Sequence, residues 1–230
     1  MKVQYEIKRK PRQKHTYLRF SKGKFIVSTN LTTSSSQIEA FVVFHKSWIE
    51  KQIIRYETRE KITLEFEDKS PLQLFGEIVI LKIFREKGCS SLDIEKKILT
   101  LYVKENTKDL RKAVLNFSKK LLLKYYEERV SFWANFMNLE YKSIMLNNAI
   151  KQWAHCTRDG RLVFSLKTIV LSRDLLDYLI VHELSHLSYF NHSKAFYCVV
   201  SRYIPDYKEK QEKLKTFHSV AVAFVKEKEN

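Results

Sequence analysis

The sequence predicts an α+β fold in which a small β-rich N-terminal region with one long helix precedes a mainly helical C-terminal domain. Two observations predict this class. Short β-type runs occupy much of the first 105 residues, and amphipathic helical spacing dominates the remainder. We expect the two domains to span 1–105 and 106–230, and we expect the second to pack a histidine-bearing helix on a small antiparallel sheet.

The N-terminal region is predicted to begin with three short strands, with a turn around Gly23 before the last of them. They cover 3–9, 16–21 and 24–30. The following segment, "SSSQIEAFVVFHKSWIEKQIIRYETRE", has the apolar spacing of one helix behind serine caps. Three apolar, β-branched runs then predict further strands, and the middle run turns near Gly76. These runs are 62–67, 72–84 and 92–103.

The C-terminal domain is predicted to start with a long amphipathic helix from Asp109. Two strands follow, Ser143–Cys156 and Arg161–Leu171, joined by the turn "TRDG". The rest of the chain is predicted to be helical. Asp174 is the expected N-cap of the next helix, and Asp177 places a second carboxylate in its first turn.

Positive charge is concentrated near the start of a chain whose formal net charge is +16. Residues 2–24 contain nine basic side chains against the single acid Glu6, a density that attracts phosphate backbones or an acidic partner. A solvated basic face explains the same density, so nucleic acid bound through residues 2–24 is one of two interpretations.

The cysteines and the apolar runs bear on the cellular compartment. Cys89, Cys156 and Cys198 are odd in number and form no C-x-x-C pair, which argues against a disulfide framework and against a thiolate zinc site. The first ten residues contain no apolar signal region, and the later apolar runs are far shorter than a membrane span. We therefore expect a cytoplasmic protein with no membrane partner.

The segment "VHELSHLSYFNHS" contains three of the seven histidines. His182 and His186 are four residues apart and project from one side of a helix, the spacing that lets two imidazoles reach one ion. Glu183 lies about 100° round the helix from His182, close enough to hold a water without binding the metal itself. H-E-x-x-H is therefore typical of metal-dependent hydrolases.

The third histidine requires a turn in the chain. In an unbroken helix, His192 would lie about 15 Å along the axis from His182, too far to share an ion. Metzincins turn at a glycine where this chain has Tyr189, so we expect the turn later, at Asn191. Ser193 is the expected cap of the next helix. The pattern favours a zinc site over a helix whose histidines only pack or face solvent.

The C-terminal half resembles the YgjP-like metallopeptidases, a zincin-like family related to the SprT-type proteases. The resemblance rests on "LDYLIVHELSHLSYFNHSKAFYCVVSRYIPDYKEKQEKLK". Upstream, "IEAFVVFHKSWIEKQI" is similar to the family's N-terminal region, and "QWAHCTRDGRLVFSLKTIVLS" is similar to its strand motif R-W-G-S-C-S. Trp153 and Cys156 match that motif, whereas Gln152, Ala154 and His155 depart from it.

The resemblance implies that 106–230 is a zincin-like metallopeptidase domain. One Zn²⁺ per chain would be held by His182, His186 and His192 with a fourth position open, and Glu183 would act as the general base of peptide hydrolysis. Three imidazoles also suit other divalent transition metals.

The hairpin at 150–170 is the candidate edge for binding a peptide substrate. Four side chains are candidate substrate or oxyanion contacts, each of which also fits a structural role: His155, Arg158, Tyr189 and Tyr197. Three functions stay open. They are a zinc-dependent peptidase, a zinc-containing nucleic-acid-associated protein or SprT-like protease acting on DNA-bound proteins, and a small-molecule amidase.

Overall fold

The computed structural model describes residues 4–21, 23–57 and 64–226, and its mixture of helices and small sheets confirms the α+β class. The chain divides into two compact units, Met1–Lys61 and Ile62–Asn230. This division differs from the boundary expected after residue 105. The reason is that the strands between 71 and 102 share one hydrophobic core with the helices that follow them.

The first unit is a three-stranded sheet followed by two helices. Its elements are β1 (Tyr5–Arg9), β2 (Tyr17–Ser21), β3 (Lys24–Thr29), α1 (Ser35–Phe44) and α2 (Lys46–Glu57). Strand β3 is central, parallel to β1 and antiparallel to β2. Phe25 and Val27 of β3 pack against apolar side chains of both helices, which gives this unit its own core.

The single helix predicted for the first unit is divided in two at His45. Ser34 caps α1 in a capping box with Gln37, in agreement with the predicted serine cap. The ψ angle of His45 is 14°, far from the helical value, and its Nδ1 lies 2.8 Å from the carbonyl oxygen of Phe41. This local contact accompanies the break between the two helices.

The second unit begins with a four-stranded sheet. Its strands are β4 (Pro71–Leu74), β5 (Glu77–Phe84), β6 (Ser91–Asp93) and β7 (Ile98–Tyr102), in the order β4-β5-β7-β6. The turn predicted near Gly76 joins β4 to β5. The run at 92–103 contains two strands because the chain reverses before Lys97, whose φ is 54°. Of the strand predicted at 62–67, the first two residues lie outside the described part and 64–67 are not in a strand.

A long helix and a second sheet follow. They are α3 (Leu110–Met137), β8 (Ser143–Asn147), β9 (Ala154–Cys156) and β10 (Arg161–Ser165). Strand β10 is central, parallel to β8 and antiparallel to β9, so this sheet is mixed and not antiparallel as expected. Residues 148–153 leave the sheet, which allows β9 to return on the other side of β10. A 3-10 helix (Leu166–Val170) replaces the end of the predicted last strand.

Three helices complete the chain: α4 (Arg173–Ser185), α5 (Lys194–Tyr203) and α6 (Tyr207–Val225). Helix α4 contacts β9, α3, α5 and α6. On α4, Asp177 is ion-paired with Arg129 and accepts a hydrogen bond from the hydroxyl of Tyr125, which ties α4 to α3. In the described part of the chain, no helix is both long enough and apolar enough to cross a membrane.

The start of α4 is fixed by a close backbone contact with the first sheet of its unit. Gly76 has a φ of +84°, and a Cβ atom there would lie 2.8 Å from the Cβ of Ser172. The N–H of the preceding residue, Phe75, donates to the carbonyl of Ile169 at 2.7 Å. Only glycine combines this backbone angle with this approach.

Candidate metal centre

Helix α4 carries the H-E-x-x-H sequence on its last turn. Its N-cap is Ser172 and not the predicted Asp174, which lies in the first turn of the helix. The helix is almost entirely buried, and Leu175, Leu179 and Leu184 belong to the main core of the unit. Burial on this scale fixes the rotation of α4 about its axis and therefore the direction of its histidines.

The chain leaves α4 earlier than predicted. The helix ends at Ser185, with His186 as its C-cap. The prediction that the chain turns at Asn191 is therefore wrong. The N–H of Leu187 donates to the carbonyl of Leu184 at 3.0 Å, a tightened, 3-10-type contact. His186 itself holds this turn because its Nδ1 donates to the carbonyl of Tyr189 at 3.0 Å. The predicted cap of α5 is confirmed, because Ser193 accepts a hydrogen bond from the N–H of Phe196.

This early turn brings the three histidines together. One nitrogen atom from each of His182, His186 and His192 lies within 4.8 Å of the others. The Nε2 atoms of His182 and His192 are 3.1 Å apart. The bond from Nδ1 of His186 to Tyr189 leaves its Nε2 free to point into the cluster. His192 is exposed and the other two are half-buried, so one side of the cluster is open.

The electrostatics of the cluster fit a divalent metal ion. Burial, together with the neighbouring imidazoles, lowers the pKa of His182 to about 3, and burial also lowers the pKa of His186. Both are therefore neutral near pH 7 and present lone pairs. Ligands of a tetrahedral zinc ion are about 3.3 Å apart, close to the separation of the two Nε2 atoms. The residues present therefore suit a zinc-like cation.

Phe196 supports all three histidines. Its ring centroid lies 4.9 Å from that of His182, 4.5 Å from that of His186 and 4.9 Å from that of His192. The side chain is fully buried. Because one rigid ring touches every member of the cluster, Phe196 limits the rotamers that the histidines adopt.

Glu183 lies beside the cluster in an apolar setting. It is 4% exposed, and burial raises the pKa of its carboxyl group to about 8. A hydrogen bond from the backbone N–H of Cys156 has the opposite, smaller effect on this pKa. Its Oε2 atom has no hydrogen-bond partner among the described residues. A buried carboxyl oxygen without a partner is energetically costly, and such groups are more frequent at functional sites than elsewhere.

An open groove of about 740 Å³ runs along α4 past Glu183 and His182. One side is formed by Trp153 and Ala154 at the start of β9, and the other side by the face of α6 that bears Gln211, Lys215 and His218. The sequence did not single out these three side chains of α6. The sequence feature that could have identified them is their spacing of four and three residues, which places them on one face of a helix.

The four candidate substrate contacts are placed differently. Tyr197 is beside the cluster, with its ring stacked on His192 at 6.0 Å and bordering a second cavity of about 560 Å³. His155, Arg158 and Tyr189 do not line the groove. His155 accepts a hydrogen bond from Gln152 at 2.8 Å, Arg158 is exposed in the β9–β10 turn, and Tyr189 contributes its carbonyl to His186. The histidine ring that contacts the indole of Trp153 is that of His218 and not that of the nearby His155.

Comparison with known proteins identifies a matching family and a similar solved structure. The family model "YgjP-like, metallopeptidase domain" matches residues 14–217. Among solved structures, the chain is similar to the metallopeptidase zymogen of Pyrococcus abyssi abylysin, with 19% identity and a TM-score of 0.37 over 39% of this chain and 91% of that one. No curated protein gives a significant match. Because the family model spans most of the sequence, the chain belongs to the YgjP-like metallopeptidase family.

Proposed function

We propose that the protein is a zinc-dependent peptidase that hydrolyses peptide bonds at the histidine cluster. The observation that carries the proposal is the convergence of His182, His186 and His192 within 4.8 Å, with one open side, next to the buried Glu183. Membership of a metallopeptidase family implies a divalent metal. Three imidazoles with an open fourth position are the ligand set of catalytic zinc.

The three histidines would hold the ion through neutral imidazole nitrogens, with Nε2 as the donor of His186. When bound, zinc supplies a Lewis acid that makes a water nucleophilic near neutral pH and polarises the scissile carbonyl. The Nδ1 bond of His186 to Tyr189 sets its tautomer, and the ring of Phe196 sets the orientation of all three side chains.

Glu183 would take the proton of the attacking water at Oε2, the oxygen without a partner. Its pKa of about 8 falls beside a divalent cation, because an opposite charge favours the carboxylate. The N–H of Cys156 donates a hydrogen bond to the carboxyl group, which lines the groove. After attack, the same carboxyl group passes its proton to the leaving amine.

Strand β9 offers an edge on which a peptide can be bound. It pairs with β10 on one side only. The N–H of Thr157 and the carbonyl of Trp153 bond to β10, so the backbone groups of Ala154 and Cys156 point the other way, towards α4. The N–H of Cys156 donates a hydrogen bond to Glu183, whereas Ala154 borders the groove. An extended peptide would hydrogen-bond to Ala154 as an added strand.

Tyr197 is the oxyanion donor that the geometry favours among the four candidate contacts. Its hydroxyl oxygen accepts from Nε2 of Gln211 at 3.4 Å, which leaves its own proton to donate. Its ring is stacked on that of His192, which holds the side chain beside the cluster.

The decisive experiment compares zinc-loaded wild type with Glu183→Gln on a peptide library. We expect the wild type to cleave peptides and the variant to lose at least about 1,000-fold in rate while keeping its fold and its metal. Equal cleavage by both proteins would remove Glu183 from the chemistry. Cleavage of small amides but of no peptide would favour the amidase function.

A second candidate function is supported by the first unit. The face of its sheet opposite the core carries Lys8, Arg19 and Lys24, with Glu6 as the acid and the half-exposed Tyr17 as a ring on which a base could stack. We propose binding of single-stranded nucleic acid at this face, which would bring the peptidase to nucleic-acid-bound proteins. Binding measured from 50 to 200 mM salt should weaken steeply, and Lys8→Ala/Arg19→Ala should lower the slope by about 1.4, because each phosphate contact on a single strand contributes about 0.7. No binding at 50 mM salt would exclude this function.

We also propose a cytoplasmic location. The three cysteines are free, and Cys89 and Cys198 are exposed, as is usual in a reducing compartment. Fractionation of cells that produce the tagged protein would test this location.

A further inference from the structure

Lys167 places a charged side chain inside the second unit. The residue is 0% exposed and lies in the 3-10 helix that follows β10. Its Nζ donates to the carbonyl of Ile150 at 2.5 Å and lies 4.3 Å from the ring centroid of Trp153. Lysine is almost never fully buried unless it is paired, so its partners indicate what the side chain does.

These partners belong to the segment that links β8 to β9, and Ser165 holds the same segment. The hydroxyl of Ser165 donates to the carbonyl of Ala149 at 2.7 Å, and its N–H donates to the carbonyl of Trp153 at 2.8 Å. With the bond from Lys167 to Ile150, three anchors fix the residues that lead directly into the edge strand.

Trp153 is held by these contacts and also lines the groove. Leu179 of α4 and Leu214 of α6 also line the groove, so apolar surfaces face one another beside Glu183. The ring of His218 stands edge-on to the indole, at 6.2 Å and 83°. A peptide bound along Ala154 would direct a side chain into this apolar space.

We propose that Trp153 is the wall of a specificity pocket for a large apolar side chain next to the scissile bond, and that Lys167 is the positioning residue for this wall. The inference rests on the peptidase function proposed above. The ammonium attracts the face of the indole and holds the Ile150 carbonyl at the same time. A neutral side chain of similar length fills the same space but offers neither interaction.

The pocket is tested by cleavage profiles on a peptide library with zinc-loaded protein. Wild type should prefer Phe, Leu or Met over Ala at one position flanking the scissile bond by about 10- to 100-fold. Trp153→Ala should flatten this preference, and Trp153→Phe should keep most of it. An unchanged preference in Trp153→Ala would overturn the pocket.

The role of Lys167 is tested by separating KM from kcat. Lys167→Met should raise KM for the preferred peptide about tenfold with kcat within about threefold, and Lys167→Arg should restore much of the loss. A purely structural role would lower the folded fraction and leave the KM of the remaining active enzyme unchanged. Wild-type KM in a folded Lys167→Met variant would overturn the positioning role.

A readout without catalysis separates this inference from the peptidase function. In a Trp48→Phe/Trp133→Phe background, the emission of Trp153 should become stronger in Lys167→Met, with greater quenching by acrylamide. Trp133 suits replacement because its buried Nε1 has no hydrogen-bond partner among the described residues. A changed emission without any peptide hydrolysis would sink the peptidase function and keep the Lys167 contact. Unchanged emission would sink the contact.

Discussion

The Nε2 atoms of His182 and His192 lie 3.1 Å apart, although the chain leaves helix α4 between the two residues. At this distance one proton can be shared between the two nitrogens as a hydrogen bond, and a metal cation held between them would take the place of that proton. A third imidazole, that of His186, lies 5.0 Å from the ring of His182 and 4.8 Å from that of His192. The arrangement is therefore one that a shared cation stabilises.

Loss of His192 should remove the metal. We expect about one zinc ion per wild-type chain purified without added metal, and far less in His192→Ala, because two imidazoles leave a weak and incomplete site. Mass spectrometry of the metal content measures this directly. His15→Ala, which removes an exposed histidine from the first unit, is the matched control. Stoichiometric metal in His192→Ala would take His192 out of the ligand set.

The local geometry of the cluster could be predicted from the sequence, whereas its turn could not. Two residues four positions apart on a helix face the same way, so the convergence of His182 and His186 follows from spacing alone. The need for a turn before His192 follows from the helical rise. The position of the turn depends on the bond from His186 to the Tyr189 carbonyl, which the spacing does not reveal.

The walls of the groove depend on contacts between distant parts of the chain. The predicted strand over 143–156 is broken because Ser165 and Lys167, which come later in the sequence, hold its middle residues away from the sheet. Gln211 and His218 reach the groove because α6 packs against α4 and the 3-10 helix. Such packing is set by the shapes of whole elements, and no short pattern encodes it.

Truncating Phe196 should weaken both the fold and the metal site. Phe196→Ala should lower the free energy of unfolding of the metal-free protein by about 3 to 5 kcal/mol, because a fully buried ring is replaced by a cavity. Metal affinity should fall about 10- to 100-fold as the histidines gain freedom. Urea unfolding and competition with a chelating dye measure the two effects.

The control for Phe196 is Phe136→Ala, a change at a ring that is 64% exposed. This substitution should lower the free energy of unfolding by less than about 1 kcal/mol and leave metal affinity unchanged. Equal effects of the two variants on metal affinity would show that the contact of Phe196 with the histidines has no special role.

Replacement of Gly76 should disturb the start of α4. Gly76 and Gly160 have nearly the same backbone angle, with φ of +84° and +83°, but a Cβ at Gly76 meets Ser172 at 2.8 Å, while at Gly160 the nearest atom is 3.7 Å away. Both alanine variants carry the strain of a positive φ. Gly76→Ala should be less stable than Gly160→Ala by about 1 to 3 kcal/mol, because only it must displace the helix cap. Equal unfolding free energies would contradict the close contact.

The buried ammonium of Lys167 should make stability depend on pH above neutrality. Burial lowers its pKa from 10.5 to about 8 in the folded chain. Below pH 8 the side chain is charged in both states. Between about 8 and 10.5 the unfolded chain keeps the proton that the folded chain has released, so the unfolded chain binds more protons. The contribution of Lys167 to the free energy of unfolding therefore rises with pH in this window.

We expect wild type to gain up to about 3 kcal/mol relative to Lys167→Met between pH 7 and pH 10.5, because the variant has no proton to release at this position. Urea unfolding of both proteins at half-unit steps measures the difference, and subtraction removes the titration of the other lysines and tyrosines. Lys142→Met, which removes an exposed lysine of the same unit, should run parallel to wild type apart from a small offset from its ion pair with Asp159. Parallel curves for wild type and Lys167→Met would mean that the folded ammonium keeps its ordinary pKa, since its bond to Ile150 and its contact with Trp153 would then compensate for burial in full.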